Sequence, residues 1–228
     1  MQRKAAVFNS STEQLILGFI QLLCFVPAIV IHEVSHGFVA NKLGDPTAKS
    51  MGRLSLNPLK HIDPFGTVLL PIILALAGGP VFGYAKPVPY NPRYFKNLKV
   101  GEVLTGLAGP ASNLIMALIT AAVSFTLIQF QVLSGVAGQL VFIALYWFGF
   151  INLILMFFNL IPLPPLDGSS LIVPFLPRSA LPTWYKIQRY ALPIFLIVVF
   201  VLPMFLQFNP LGVYLDVTAR NLARVLFL

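Results

Sequence analysis

A His-Glu-Val-Ser-His sequence at residues 32–36 is the part of the chain best suited to chemistry. His32 and His36 are four residues apart, so on a helix they lie one turn apart on the same face, where both imidazoles reach one zinc ion. Glu33 follows the first histidine and reaches a zinc-bound water without coordinating the metal. A chance match is a fair interpretation in a soluble helix. In an apolar membrane run, three ionisable residues in five positions favour a functional site.

A catalytic zinc site needs a third protein ligand and an open position for water. One soluble class of zinc enzymes takes a histidine six residues after the second ligand, but Lys42 stands there. Asp167 is the best candidate, because it ends a long uncharged region where prolines have broken the helix. Alone it would be interpreted as a turn residue, and the incomplete two-histidine site makes the ligand role the better interpretation. The alternatives are His61, in a polar loop, and Glu102, at the head of a helix.

The composition is that of an integral membrane protein. The chain has 228 residues, of which 57% are hydrophobic and 10% charged, whereas a typical soluble domain is about 25% charged. The mean hydropathy is +0.85. No hydrophilic stretch is long enough for a separate soluble module, so we expect one membrane-embedded, all-α domain over residues 1–228.

The net charge of +8 does not indicate nucleic-acid binding. The basic residues are spread over the loops between apolar segments and form no compact patch, so we expect no nucleic-acid partner. The single cysteine, Cys24, excludes an internal disulfide and a thiolate-rich zinc site. Because Cys24 stands in an apolar run, we interpret it as a small buried hydrophobic residue.

Apolar stretches predict a bundle of about four to five transmembrane helices. The first is longer than the apolar region of a signal peptide and lacks a small-residue cleavage site, so we interpret it as a retained helix. Residues 103–166 contain no Lys, Arg, Asp or Glu and are long enough for two helices. The predicted helices cover residues 13–43, 102–130, 137–163 and 190–208.

The position of the candidate ligands constrains the topology. His36 lies near the C-terminal end of the first helix and Asp167 follows the end of helix 137–163, so the two helices must run parallel to reach one ion. A full crossing by residues 65–79 would make them antiparallel. We therefore predict that the region 64–100, between the first and second long helices, is re-entrant or partly β and returns to its starting side.

The basic loops predict the orientation of the chain. Most Lys and Arg residues fall in loops 42–64, 80–101 and 164–190, which the positive-inside rule places in the cytoplasm. The basic residues near the two chain ends then fall outside, in mild conflict with that rule. The site is expected to face the cytoplasmic side of the cell membrane.

Three motifs occur together in this membrane chain: HEVSH, GPASN at 109–113, and NLIPLPPLDG at 159–168. In this combination they resemble the site-2 protease family of intramembrane zinc metalloproteases. GRLSLNPLKHIDPFGTVLLP at 52–71 and GYAKPVP at 83–89 also resemble compact bacterial and archaeal members. Larger relatives carry a PDZ or CBS domain, for which this chain has no room, so the resemblance implies the compact, prokaryotic form.

The chemistry expected of this site is hydrolysis of a peptide bond. One zinc ion per chain would be held by His32, His36 and Asp167, and Glu33 would act as general base. Asn113 would lie near the oxyanion or the substrate backbone, or else pack between helices. Asn159 would orient a ligand or, as the better interpretation, hold the broken helix end. The expected substrate is a transmembrane segment of another protein in the lipid bilayer.

Two other classes of protein share some of these features. One is a membrane zinc-binding protein without proteolysis, such as a transporter or an inactive protease scaffold. An intact Glu33 argues against the inactive scaffold, and a transporter would show several ligand clusters along a path, where this chain shows one. The other class, a plain multi-span scaffold, leaves the ionisable residues in the membrane unexplained.

Overall fold

The computed structural model describes residues 11–76, 83–201, 205 and 208–227. Within them the chain is helical, with short 3₁₀ and π turns between the α-helices and no strand. The α-helices are α1 (Ser11–Lys42), α2 (Thr47–Ser50), α3 (Leu70–Leu76), α4 (Leu98–Gln129), α5 (Gly135–Asn159), α6 (Leu181–Leu196), α7 (Pro210–Leu215) and α8 (Asn221–Phe227).

Three helices in the described residues, α1, α4 and α5, are long and apolar enough to cross a membrane. The chain is therefore a multi-pass helical membrane protein. The predicted helix 190–208 overlaps α6, which continues into a π turn at Ile197–Val201, but residues 202–204 and 206–207 lie outside the described residues. The total of four to five transmembrane helices stays a prediction.

Local signals set the ends of the long helices. The Asn97 side chain accepts a hydrogen bond from the Val100 amide and so caps the N-terminus of α4. Helix α5 ends at Asn159, four residues before the predicted end at 163. The physical reason is Pro162. Its ring disfavours helical backbone at the preceding residue, and proline has no N–H group to donate to the carbonyl four residues earlier.

Hydrogen bonds between the long helices show their relative directions. His32 contacts Asn113 and His36 contacts Thr105, so residue numbers rise along α1 where they fall along α4. The two helices are therefore antiparallel. Helix α5 returns antiparallel to α4 after a short turn, and the Cys24 thiol of α1 meets the Ala144 carbonyl of α5. Helices α1 and α5 therefore run parallel, as the candidate ligands required.

The bundle is built with small and polar residues inside and large apolar residues outside. Ala28, Ala117 and Thr120 are buried between the long helices, and Cys24 is buried as expected. Outward-facing Phe19 and Phe125 are more than half exposed. A water-soluble bundle has the opposite pattern, whereas small residues between membrane helices let the backbones approach closely.

The region 64–100 contains short helical pieces and an extended stretch rather than a long helix. A π turn at Pro64–Leu69, capped by Asp63, leads into α3. Residues 83–91, called here the 83–91 segment, have no regular secondary structure. The Tyr84 and Lys86 amides of this segment donate to the carbonyls of Gly66 and His61. The described part of this region has no strand, and its re-entrant course stays a prediction.

Candidate metal centre

His32 and His36, in the C-terminal half of α1, meet the side chain of Asp167 from a distant part of the sequence. Nε2 of His32 and Nε2 of His36 are 3.1 Å apart. Oδ2 of Asp167 lies 3.0 Å from the first of these nitrogens and 3.3 Å from the second. In the described residues they form the one group of three or more His, Cys, Asp or Glu residues close enough to share a metal ion.

Each imidazole makes a hydrogen bond through Nδ1, on the side away from Asp167. The Nε2 atoms therefore keep their lone pairs, which point into the group. His32 Nδ1 lies 2.6 Å from the Asn113 side-chain oxygen, and His36 Nδ1 lies 2.7 Å from the Thr105 carbonyl. Both acceptors require the hydrogen of a neutral ring to sit on Nδ1. Both Nε2 atoms then face Asp167 Oδ2 without a proton between them, and that buried oxygen has no hydrogen-bond donor.

Such a convergence of lone pairs fits a bound cation. Zinc binds imidazole and carboxylate at about 2.0–2.2 Å, so two ligand atoms of one tetrahedral ion are roughly 3.3–3.6 Å apart. The separations of 3.0–3.3 Å between the three atoms are close to this spacing, so the residues present fit a zinc ion.

Helix α4 passes so close to His32, His36 and the segment after Asp167 that it has no room for side chains at Gly109 and Gly106. A Cβ atom on Gly109 would lie 2.6 Å from Nε2 of His32 and would also touch Nε2 of His36. A Cβ on Gly106 would lie 2.6 Å from Cβ of Ser170, three residues after Asp167. Both positions therefore require glycine for close packing rather than for an unusual backbone conformation.

A cavity of about 730 Å³ opens beside the ligands and is bordered by Glu33 and the 83–91 segment. Oε2 of Glu33 accepts a hydrogen bond from the Val88 amide at 3.0 Å. The wall of the cavity is largely apolar and includes Phe25, Phe158 and Phe195. The site thus combines a group of three side chains that could share a metal ion, a carboxylate outside that group, and a largely apolar pocket.

Known proteins with similar sequences identify the family. The model of peptidase family M50 matches residues 128–202. The Bacillus subtilis (strain 168) protein named "Putative zinc metalloprotease YwhC" is 39% identical over 185 residues, which are 80% of this chain and 80% of that protein. The chain belongs to peptidase family M50, the site-2 protease family. It is therefore a zinc metallopeptidase.

Two mycobacterial relatives of this M50 peptidase bear the name "Putative zinc metalloprotease Rip2". The one from Mycolicibacterium smegmatis is 28% identical over 161 residues, which are 71% of this chain and 56% of that protein. The one from Mycobacterium tuberculosis H37Rv is 29% identical over 191 residues, which are 82% of this chain and 66% of that protein. No solved structure gives a significant match to the chain.

The two alternative ligands considered for the M50 peptidase lie outside the metal-binding group. His61 is buried, and its Nε2 contacts the Ser55 carbonyl at 2.7 Å. Glu102 accepts hydrogen bonds from the hydroxyls of Tyr90 and Tyr185. Burial and the neighbouring carboxylate raise the pKa of both tyrosines, so they remain donors. Glu102 thereby joins the 83–91 segment to α6 at the edge of the cavity.

The predicted asparagines differ in what they contact. Both polar atoms of Asn113 are engaged, one with His32 and the other with Asn152. Asn159 lines the cavity and donates to the Leu155 carbonyl of its own helix. A contact of Asn113 with the oxyanion stays a prediction.

Two contacts of the site were not found by sequence reasoning. One is the Val88 amide, a backbone group without any residue-type signal. The other is Asn152, whose only signal is a polar side chain within the uncharged region 103–166.

Alanine at position 109 is expected to remove zinc from the M50 peptidase. The added methyl group would overlap the imidazoles of His32 and His36, so the ligands could not hold their present positions. Elemental analysis of the purified Gly109→Ala protein should show loss of most of the zinc. Gly18→Ala on α1 is the matched control, since a Cβ there meets nothing within 4 Å. It should keep zinc and gain up to about 1 kcal/mol of helix stability. Full zinc in Gly109→Ala would contradict this account of the packing.

Proposed function

We propose that this M50 peptidase is an intramembrane endopeptidase that hydrolyses peptide bonds within or near transmembrane segments of other membrane proteins. The observation that carries the proposal is the location of the site. His32, Glu33 and His36 lie within α1, a helix apolar enough to cross the membrane, and they border a largely apolar cavity. Ionisable groups at such a depth are costly and are retained where they serve function.

The proposed zinc ligands are His32, His36 and Asp167, with one ion per chain. When bound, zinc would supply a Lewis acid that acidifies water and polarises the peptide carbonyl. His32 and His36 present Nε2 lone pairs, and their Nδ1 hydrogens are held by acceptors on α4. This fixed orientation lets the ligands bind without reorganising.

Glu33 is the proposed general base. Its carboxylate borders the cavity and stands outside the group of ligand atoms. Oε1 or Oε2 would take a proton from the attacking water and deliver it to the nitrogen of the leaving amine. The Val88 amide that donates to Oε2 holds the carboxylate in place for this transfer. For Asn113 we propose that it lies near the oxyanion or the substrate backbone, while its oxygen faces His32 and its NH₂ group donates to Asn152.

The proposed orientation places the site near the cytoplasmic face of a prokaryotic cell membrane. His36 is six residues from the end of α1 at Lys42, which is about 9 Å at 1.5 Å per residue. The whole chain is proposed to form one membrane-embedded domain, with the region 64–100 returning to the side where α1 ends. The parallel course of α1 and α5 supports this arrangement.

Cysteine labelling tests the topology. Lys49, Lys96 and Arg178 are exposed and lie in three different connections between the apolar segments. In a Cys24→Ser background, cysteines at these positions should react with an impermeant maleimide from one side of the membrane only. Gln131→Cys, in the turn between α4 and α5, is the control and should react from the opposite side. Labelling of positions 49 and 96 from opposite sides would rule out the re-entrant course.

The substrate class can be tested by mass spectrometry of membrane proteins. Membranes from cells with the parent chain are compared with membranes from cells with an inactive Glu33→Gln chain. New protein termini that depend on the parent chain should map within or near transmembrane segments. Termini confined to soluble domains would contradict intramembrane cleavage while leaving the peptidase activity in place.

A further inference from the structure

A chain of three hydrogen bonds leads from the backbone of α5 through α4 to His32 on α1. The Asn152 amide nitrogen donates to the Phe148 carbonyl at 2.8 Å. The Asn113 amide nitrogen donates to the Asn152 side-chain oxygen at 2.8 Å. The Asn113 oxygen then lies 2.6 Å from Nδ1 of His32. Both asparagine side chains have no exposed surface, so water does not compete for these bonds.

The carbonyl at the far end determines the direction of every bond in this chain. The Phe148 carbonyl only accepts, so Asn152 must turn its NH₂ group toward it and its oxygen toward Asn113. Asn113 must then turn its NH₂ group toward Asn152 and its oxygen toward His32. Nδ1 of His32 therefore carries the hydrogen, and Nε2 keeps the lone pair that faces His36 and Asp167.

We propose that Asn152 is a positioning residue of the metal centre, which acts through Asn113 to fix the tautomer and orientation of His32. The proposal rests on the proposed role of His32 as a zinc ligand. Without the Asn152 oxygen, the Asn113 amide is free to turn over and place its NH₂ group against Nδ1. His32 would then carry its hydrogen on Nε2, where it blocks metal binding.

Two other polar side chains on these helices, Thr120 and Asn159, do not make such a connection. The Thr120 hydroxyl donates to the Met116 carbonyl of its own helix, and the Asn159 amide does the same with Leu155. These bonds end within the helix. Asn152 makes the equivalent bond to Phe148, and in addition its oxygen accepts from a different helix. His36 needs no intermediate side chain, because its Nδ1 meets the Thr105 carbonyl directly.

Metal retention by Asn152→Leu tests the proposal. Leucine has a similar volume but no acceptor for Asn113. The affinity of the purified protein for zinc, measured by competition with a chelator, should fall by about 10–100-fold, as for other residues that orient a metal-bound histidine. The absorption spectrum of the cobalt-substituted protein should change as well. Thr120→Val, which also removes a buried hydrogen bond from α4, should leave zinc affinity and the cobalt spectrum as in the parent chain.

A second variant keeps the test decisive if the leucine protein does not fold. In Asn152→Ser the hydroxyl can still donate to the Phe148 carbonyl, as Ser35 does to Ile31, but it is too short to reach Asn113. This variant should lose zinc affinity as Asn152→Leu does. In an Asn113→Leu background, substitution of Asn152 should have no additional effect, since its influence passes through Asn113.

The outcomes separate this proposal from the proposed metal centre. If both Asn152 variants hold zinc as the parent chain does while His36→Ala loses it, the positioning role is wrong and the metal centre stands. An additional loss of affinity in the Asn113→Leu background would also overturn the role, because Asn152 would then act by another route. If His36→Ala keeps its zinc, the metal centre itself is wrong.

Discussion

Replacement of Glu33 by glutamine is expected to remove most of the cleavage activity while zinc stays bound. Glutamine has nearly the same size, and its oxygen can still accept from the Val88 amide. The neutral amide cannot take a proton from water. Since general-base catalysis contributes about 10²–10⁴-fold, cleavage of a transmembrane substrate by the purified protein should fall by at least that factor. The measurement is the cleavage rate at a known zinc content.

The control for this substitution is Asp216→Asn, the same chemical change at an exposed residue that pairs with Arg220. It should leave the cleavage rate unchanged. The Glu33→Gln protein should also retain uncleaved substrate, which makes it suitable for isolating substrate complexes. If Glu33→Gln cleaves as fast as the parent chain, Glu33 is not the base and the proposed mechanism fails.

Loss of a proposed zinc ligand is expected to reduce the zinc content from one ion per chain to almost none. His36→Ala and Asp167→Ala each leave two protein ligands, too few for the three-ligand arrangement of a catalytic zinc site. Cleavage should be lost together with the metal. Elemental analysis of detergent-purified protein measures the zinc, and the same samples are assayed for cleavage.

His61→Ala is the matched control for the ligand variants. His61 is buried like His32 and His36, but it contacts the Ser55 carbonyl and stands outside the metal-binding group. The variant should retain its zinc even if its stability falls. Retention of stoichiometric zinc by Asp167→Ala would remove Asp167 from the site and reopen His61 as the third ligand.

The local part of the site follows from the sequence because its geometry is that of a single helix. Two histidines four residues apart share a face of α1 wherever that helix lies, and the structure places their Nε2 atoms 3.1 Å apart. Asp167 was predicted from a different argument, since a two-histidine site is incomplete and few acidic residues remain. The structure brings Asp167 next to both histidines, and its role as a ligand is the proposal tested above.

The parallel course of α1 and α5 could also be deduced from the sequence, because both candidate ligand positions lie at helix ends. The sequence predicts the end of α5 less accurately. Its apolar pattern continues past Asn159, and the effect of Pro162 on the preceding turn decides the boundary. The course of region 64–100 is not given by hydrophobic periodicity, because short helical pieces and an extended segment alternate there.

The sequence alone determined the class of protein and the chemistry, since membrane helices are set by composition and the two-histidine motif by spacing within one helix. Only the tertiary structure showed that Val88 contacts Glu33 and that Asn152 contacts Asn113. The first contact uses a backbone amide, which every residue except proline has. The second joins residues 39 positions apart on different helices. Such contacts depend on how the helices pack, and no local spacing in the sequence encodes them.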